Sequence, residues 1–205
     1  VFEMYKKSPK AVLETTLRLL RTNDLQATSM SMISKESGVS MGSIYNSFSG
    51  KEDIINKLFT GIVDFQTDLV LNSLDNDSPI PERFEKAWRK VIQTNIDYPD
   101  AFQFLEQYSL SPYIFEASKE AAYNGKRCSC LSEIYEQAIQ EQLFVPWDPQ
   151  LMVQMHWGAI VYLVKGHLQG FHALSSDVIA MVVSTNWNSV STAKGFNLLQ
   201  LRKEM

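Results

Sequence analysis

The sequence predicts an all-α protein: a small N-terminal three-helix domain with a helix-turn-helix over residues 5–53, then a larger helical domain over 54–205. Three observations predict it. Apolar residues recur at spacings of three and four along most of the chain, the repeat of helices that bury one face, and no convincing alternating run marks a strand. Ser8-Pro9, Ser78-Pro79, Ser111-Pro112 and Asp148-Pro149 punctuate the chain, each offering a capping side chain and then the proline tolerated in a helix's first turn. Between Thr28 and Ile54, glycines, serines and apolar residues are spaced as two short helices across a tight turn, with a third helix starting just beyond.

In order, the first helix carries Val12, Leu13, Leu17 and Leu20 on one stripe that packs behind the helix-turn-helix. From Ser29 to Ser37, Met30, Ile33 and the small Ser34 share a face, and Gly38 takes a left-handed helix end without a Cβ penalty. Val39 plugs the turn and Ser40 caps a helix running to Phe48. Ile44 and Phe48, four apart, face inward and leave Met41, Ser43, Tyr45 and Asn46 outward. Gly42 inside so short a helix costs about 1 kcal/mol relative to Ala, so a close backbone approach, to a neighbouring helix or to a phosphate, is its expected reason. Ser49-Gly-Lys-Glu52 has the form of a capping box that opens a fourth helix with Lys51 in its first turn. Ile54, Ile55, Leu58, Phe59, Ile62, Val63, Phe65, Leu69 and Val70 carry that helix far enough to link two domains.

Asp75-Asn-Asp-Ser-Pro79 is the clearest connector, and Phe84, Ala87, Trp88, Val91 and Ile92 mark a fifth helix that Tyr98-Pro99 ends. Residues 101–123 are dense in aromatics, which form either core or the wall of an apolar cavity. Leu131, Ile134, Tyr135, Ala138 and Ile139 continue a helix broken at Phe144-Val-Pro146. Gln150 to Leu168 is apolar on nearly every side, with Met152, Met155, Trp157, Ile160, Val161 and Leu163, so it has to be covered all round. Gly158 and Ala159 permit close helix approach. Val178, Ile179, Val182, Val183 and Trp187 form a last stripe behind a Ser175-Ser-Asp177 cap.

Composition fits this plan. A chain of 205 residues with 45% hydrophobic and 11% aromatic residues can bury a sizeable core and is not disordered. The net charge of −4 divides unevenly: residues 1–56 hold seven Lys/Arg against six Asp/Glu, and 57–205 hold twelve against seventeen. Lys6, Lys7 and Lys10 concentrate ahead of the first helix, as a solvated terminus or beside phosphates. Cys128 and Cys130, two apart, point to different sides of a helix, which disfavours a disulfide or a metal pair. No signal peptide is visible, Met4 is a plausible start, and the apolar stretch Gly158 to Val164 is far short of the roughly 20 residues a membrane span needs. A soluble cytoplasmic protein without membrane contact is expected.

Thr28, Gly38, Val39, Ser40, Gly42, Ile44, Tyr45, Phe48, Lys51 and Glu52 match in register a pattern of Thr opening one helix, then Gly-Val-Ser-x-Gly-x-Ile-Tyr-x-His-Phe-x-x-Lys-Glu. In these residues the stretch resembles the DNA-binding domain of the TetR family. It departs at Ser34, where Ala is usual, and at Ser47, where His is usual. The first keeps a small side chain; the second removes one phosphate or capping contact. The resemblance implies a transcriptional regulator, most commonly a repressor, with double-stranded DNA as partner and a near-palindromic operator. It also implies a homodimer through the last two helices, matched here by the stripes over 150–168 and 178–187, and a small-molecule effector in the larger domain.

The DNA-binding set is then Thr28, Ser29, Ser40, Met41, Gly42, Ser43, Tyr45, Asn46 and Lys51. Ser43 and Asn46 suit base edges, Asn in particular adenine, and Met41 a thymine methyl. Tyr45, Lys51, Thr28 and Ser29 suit phosphates. Trp88, Phe102, Tyr108, Tyr123 and Trp157 are candidates for contact with a lipophilic or aromatic effector. His156, His167 and His172 have no carboxylate at the paired spacing of a helical metal motif, and no nucleophile motif or phosphate loop is present. No enzyme activity, metal or cofactor is expected. Two alternatives stay open: a helical small-molecule-binding or sensor protein without promoter control, and a DNA-binding member that answers no small ligand.

Overall fold

The structure, a computed structural model, describes residues 1–124 and 126–203, and side chains other than those of 123–129 and 199–205. These residues form helices and no strand, apart from one isolated bridge between Phe144 and Ser191. The helices are α1 (Lys7–Leu19), α2 (Met30–Ser37), α3 (Met41–Tyr45), α4 (Lys51–Leu71), α5 (Ile80–Asp97), α6 (Pro99–Tyr108), α7 (Glu116–Asn124), α8 (Lys126–Gln140), α9 (Pro149–Leu168), α10 (Ser176–Val190) and α11 (Ala193–Lys203). The expected all-α class is what the chain adopts.

Contacts divide the chain into two compact units, one of residues 1–66 and 98–123 and the other of 67–97 and 124–205. In the first, α1 packs against α2, α3 and α6. The reason is a common core: Val12 and Leu13 from α1, Ile33 from α2, Ile44 from α3, and Leu58, Phe59 and Ile62 from α4 are buried together with Phe104, Leu105 and Tyr108 of α6. The sequence divides once, at 53/54, whereas the contacts return 98–123 to the N-terminal unit. Phe2 is fully buried in that core too, stacked edge-on to Tyr5 and filling the space above Gly61.

The second unit is built round an aromatic centre. The ring of Phe84 (α5) lies 5.5 Å from Tyr135 (α8), 5.8 Å from Phe144 and 5.2 Å from Trp187 (α10). The Phe144 and Trp187 rings meet Phe84 edge-to-face, and such pairs add about 0.5–1.5 kcal/mol each beyond burial. Helix α5 packs on α8, α9 and α10, which explains why its apolar stripe is broad.

Caps behave locally as expected at some ends and not at others. Asp148 accepts from Gln150 N–H and Leu151 N–H, and Ser175 accepts from Val178 N–H. Ser8 caps nothing, because α1 starts one residue earlier and its N-cap is Lys6. Ser111-Pro112 likewise opens no helix; α7 begins at Glu116. Helix α8 stops at Gln140, before Phe144-Val-Pro146, because Gln142 takes a φ of 59°. Leu143 N–H then donates to Ala138 O and Gln142 N–H to Ile139 O, the bond pair of a left-handed helix terminus. The helices expected to close the chain, α9 and α10, are followed by α11. No helix among the described residues is long and apolar enough to cross a membrane.

Candidate nucleic-acid interface

Ser29 caps α2 by accepting from Met32 N–H at 3.2 Å. The helix ends at Gly38 with a φ of 68°, the left-handed residue the sequence predicts. Ser34 then closes the turn: its Oγ donates to Val39 O at 2.7 Å, while Val39 N–H donates to Ser37 Oγ at 3.3 Å. The departure from Ala therefore adds a bond that Ala cannot make. Ser40 caps α3, accepting from Ser43 N–H at 3.3 Å.

Helix α3 has five residues, shorter than the run to Phe48 expected from sequence, and is too short to persist alone. Burial holds it. Ile44 is fully buried and Phe48 nearly so, which leaves Gly42, Ser43, Tyr45 and Asn46 exposed and Met41 half-buried, with the Tyr45 ring 54% exposed. A Cβ built on Gly42 meets no atom of the chain within 4 Å. Of the two expected reasons for this glycine, approach to a neighbouring helix is therefore ruled out. At Ser47, the position where His is usual, the carbonyl accepts from Lys57 Nζ at 3.3 Å, and the same ammonium sits 5.2 Å from the Phe48 ring centre and 3.7 Å from Asp53. Lys57 thus caps the end of the α3 segment, a part nothing in the sequence marks.

Two members of the expected set turn inward. Thr28 is fully buried and its Oγ1 donates to Asp24 O at 3.0 Å. Lys51 donates from Nζ to Leu25 O at 2.8 Å and Thr28 O at 3.2 Å, tying the turn before α2 to the start of α4. The expected capping box also changes partner: Ser49 N–H donates to Asp53 Oδ2 at 2.9 Å, not to Glu52. Of the N-terminal lysines, Lys10 is paired with Glu3 at 2.5 Å, whereas Lys6 and Lys7 are exposed.

The expected effector residues fall in different places. Phe102 and Tyr108 are buried in α6 of the first unit, and Tyr108 belongs to the core with Leu13 and Phe59. Trp88 is fully buried in the second unit and Trp157 half-buried there. The side chain of Tyr123 lies outside the described residues, as does that of Cys128. Trp88 opens a polar chain that the sequence does not reveal. Its Nε1–H donates to Tyr135 Oη at 2.9 Å, Tyr135 bonds His156 Nδ1 at 2.5 Å, His156 Nε2 bonds Ser189 Oγ at 2.9 Å, and Ser189 donates to Asn186 O at 2.8 Å. Indole N–H can only donate and a carbonyl only accept, so every proton is fixed: Tyr135 donates to Nδ1, and the neutral imidazole carries its proton on Nε2. Burial pulls His156 down to about 4, in keeping with that neutral form. No group of three or more His, Cys, Asp or Glu among the described residues is arranged to hold a metal.

A small unit whose short second helix is capped, locked from behind and bare in front is the form of a DNA-reading head. Residues 12–58 match the model of bacterial regulatory proteins of the tetR family, and 79–191 match that of the tetracyclin repressor-like C-terminal domain. The chain belongs to the TetR family of bacterial regulatory proteins. It is 23% identical over 117 residues to an uncharacterized HTH-type transcriptional regulator of Haemophilus influenzae, a match that covers 57% of this chain and 60% of that relative. Among solved structures, a putative tetR family regulator from Shewanella sp. PV-4 superposes with a TM-score of 0.81 at 21% identity, covering 92% of this chain and 100% of that one. A TetR family regulator from Marinobacter aquaeolei VT8 also gives 0.81, at 22% identity, covering 90% and 96%.

Proposed function

We propose that the protein is a cytoplasmic, dimeric transcriptional regulator that binds a near-palindromic operator and acts as a repressor released by a small lipophilic or aromatic ligand. The observation that carries it is the front of α3: Gly42, Ser43, Tyr45 and Asn46 are exposed together, with open space over Gly42 where a DNA backbone can approach. Asn46 and Ser43 read base edges, Met41 packs on a thymine methyl, and Tyr45 and Ser29 reach phosphates. Ser40 presets the helix, and Thr28 acts through the buried turn it holds. Lys51 keeps one of its three N–H donors for a phosphate beside the two it gives to the chain.

The dimer forms through α9 and α10, where Leu151, Met155, Tyr162 and Met181 stand exposed. Two heads related by a two-fold axis then reach half-sites about one DNA turn apart or a little more. The ligand acts in the larger domain, with Trp88 and Trp157 nearest to hand, by favouring a dimer whose heads are wrongly spaced.

Selection from a random DNA library, followed by salt-dependent affinity, tests the proposal. A palindromic site bound roughly a thousandfold or more tighter than random DNA is expected. On that site Asn46→Ala relaxes sequence preference, while Lys51→Ala weakens all sequences alike and lowers the salt slope by about 1. An unchanged slope with lowered stability removes the phosphate from Lys51 and leaves it as a tie for the turn. Failure to enrich any sequence at low salt favours a helical binding protein without promoter control.

A further inference from the structure

Arg83 is the one charged side chain that is buried among the described residues, with 8% of it exposed. One guanidinium nitrogen, Nη2, donates to Gln137 Oε1 of α8. No carboxylate pairs with it among the described residues, and its Nε–H has no acceptor. Its place adds to the imbalance. Arg83 is the fourth residue of α5, where the helix end is itself positive and where acidic residues are normally favoured. A largely buried cation without a counter-charge is an imbalance that a bound anion relieves.

A second buried donor lies on the neighbouring helix. Asn186 of α10 is buried with its Nδ2 unpartnered. Arg83 and Asn186 each stand one residue before a ring of the same contact, since Phe84 and Trp187 meet at 5.2 Å. Each of these two helices thus carries one unused buried N–H donor next in sequence to a ring of the aromatic centre, and α5 alone adds a positive charge. His156, which also touches Phe84, is neutral and supplies no charge.

We infer that Arg83 is the anchor of a binding site for a monoanionic carboxylate carried on an apolar body, gripped by its Nε–H. One positive charge matches one carboxylate, whereas a phosphate dianion brings more charge than these residues balance. Arginine presents paired N–H groups in the plane a carboxylate accepts. This rests on the proposed response to a small ligand and narrows its chemistry.

The test uses the full chain at constant ionic strength in chloride, with two matched pairs of probes: octanoate against 1-octanol, and benzoate against benzyl alcohol. Binding is followed by calorimetry, with the intrinsic tryptophan emission of the chain as a second signal. A carboxylate bound at least tenfold more tightly than its alcohol, with that preference abolished in Arg83→Met and the ligand-free thermal midpoint of the variant equal to or above that of the parent, is the expected result. Equal affinity for the two members of both pairs overturns the inference from the parent protein alone, whatever the variant does. So does a preference that survives in Arg83→Met. Operator release, measured in parallel, separates the two ideas: alcohols that release DNA as well as carboxylates leave the effector reading standing without the anion. A carboxylate that binds through Arg83 without releasing DNA leaves the site and removes the effector reading.

Discussion

Single residues decide whether α3 is a structural or a reading element. At Gly42 the chain accepts a glycine's cost with nothing of its own packed against the Cα, so fold and function pull in opposite directions there. Gly42→Ala is expected to raise stability by about 0.5–1 kcal/mol in urea melts and to weaken operator binding at least several-fold; a rise in both quantities removes the backbone approach. The His156 chain gives a second prediction at this scale. Its imidazole stands at about 4 instead of 6.5 because it is buried. Between those values the unfolded chain binds a proton that the folded one refuses, so the contribution is full above about pH 6.5, falls as the pH drops and is lost by about pH 4. At about 1.4 kcal/mol per unit this is on the order of 3 kcal/mol. Unfolding followed from about pH 7.5 down to about pH 5 should show about 2 kcal/mol of that loss, with a flatter slope in His156→Gln.

At the scale of elements, what a neighbouring residue can specify was legible and what a distant one specifies was not. Ser40, Asp148 and Ser175 are caps in the structure as in the sequence, because a cap joins groups two or three residues apart. Ser40→Ala is accordingly expected to cost about 1 kcal/mol and to lower operator affinity more than the corresponding change at Ser175, since α3 has so little else within it. The Lys51 ammonium bonds carbonyls 23 and 26 residues back, and the Trp88 indole reaches a phenol 47 residues on. Such partners leave no periodic trace. The same limit explains Thr28, whose motif position is visible while its full burial depends on how the turn from Asp24 folds over it. The end of α8 leaves no trace in the sequence for a different reason: a left-handed Gln142 carries none of the signal that Gly38 does.

For the whole molecule, the deciding feature is the return of residues 98–123 to the N-terminal unit. Asn56 on α4 fixes it by donating to Tyr113 O at 3.0 Å and accepting from Phe115 N–H at 2.8 Å, and Gln26 Nε2 donates to Tyr113 Oη at 2.6 Å. Aromatic density marked this segment in the sequence, but density alone does not say which core it fills. A fragment of residues 1–66 therefore lacks Phe104, Leu105 and Tyr108, and is expected to unfold at markedly lower urea than the full chain and to bind a hydrophobic dye.

That threading also bears on how such a protein can be recombined. The chain passes between its compact units at 66/67, 97/98 and 123/124, so no single crossover exchanges one unit intact for that of another regulator. A chimera joined in α4 inherits the α6 side chains of one parent against the α1 and α4 side chains of the other. Grafting a new sequence-reading head onto this body requires two inserted segments chosen together, the second ending near residue 123.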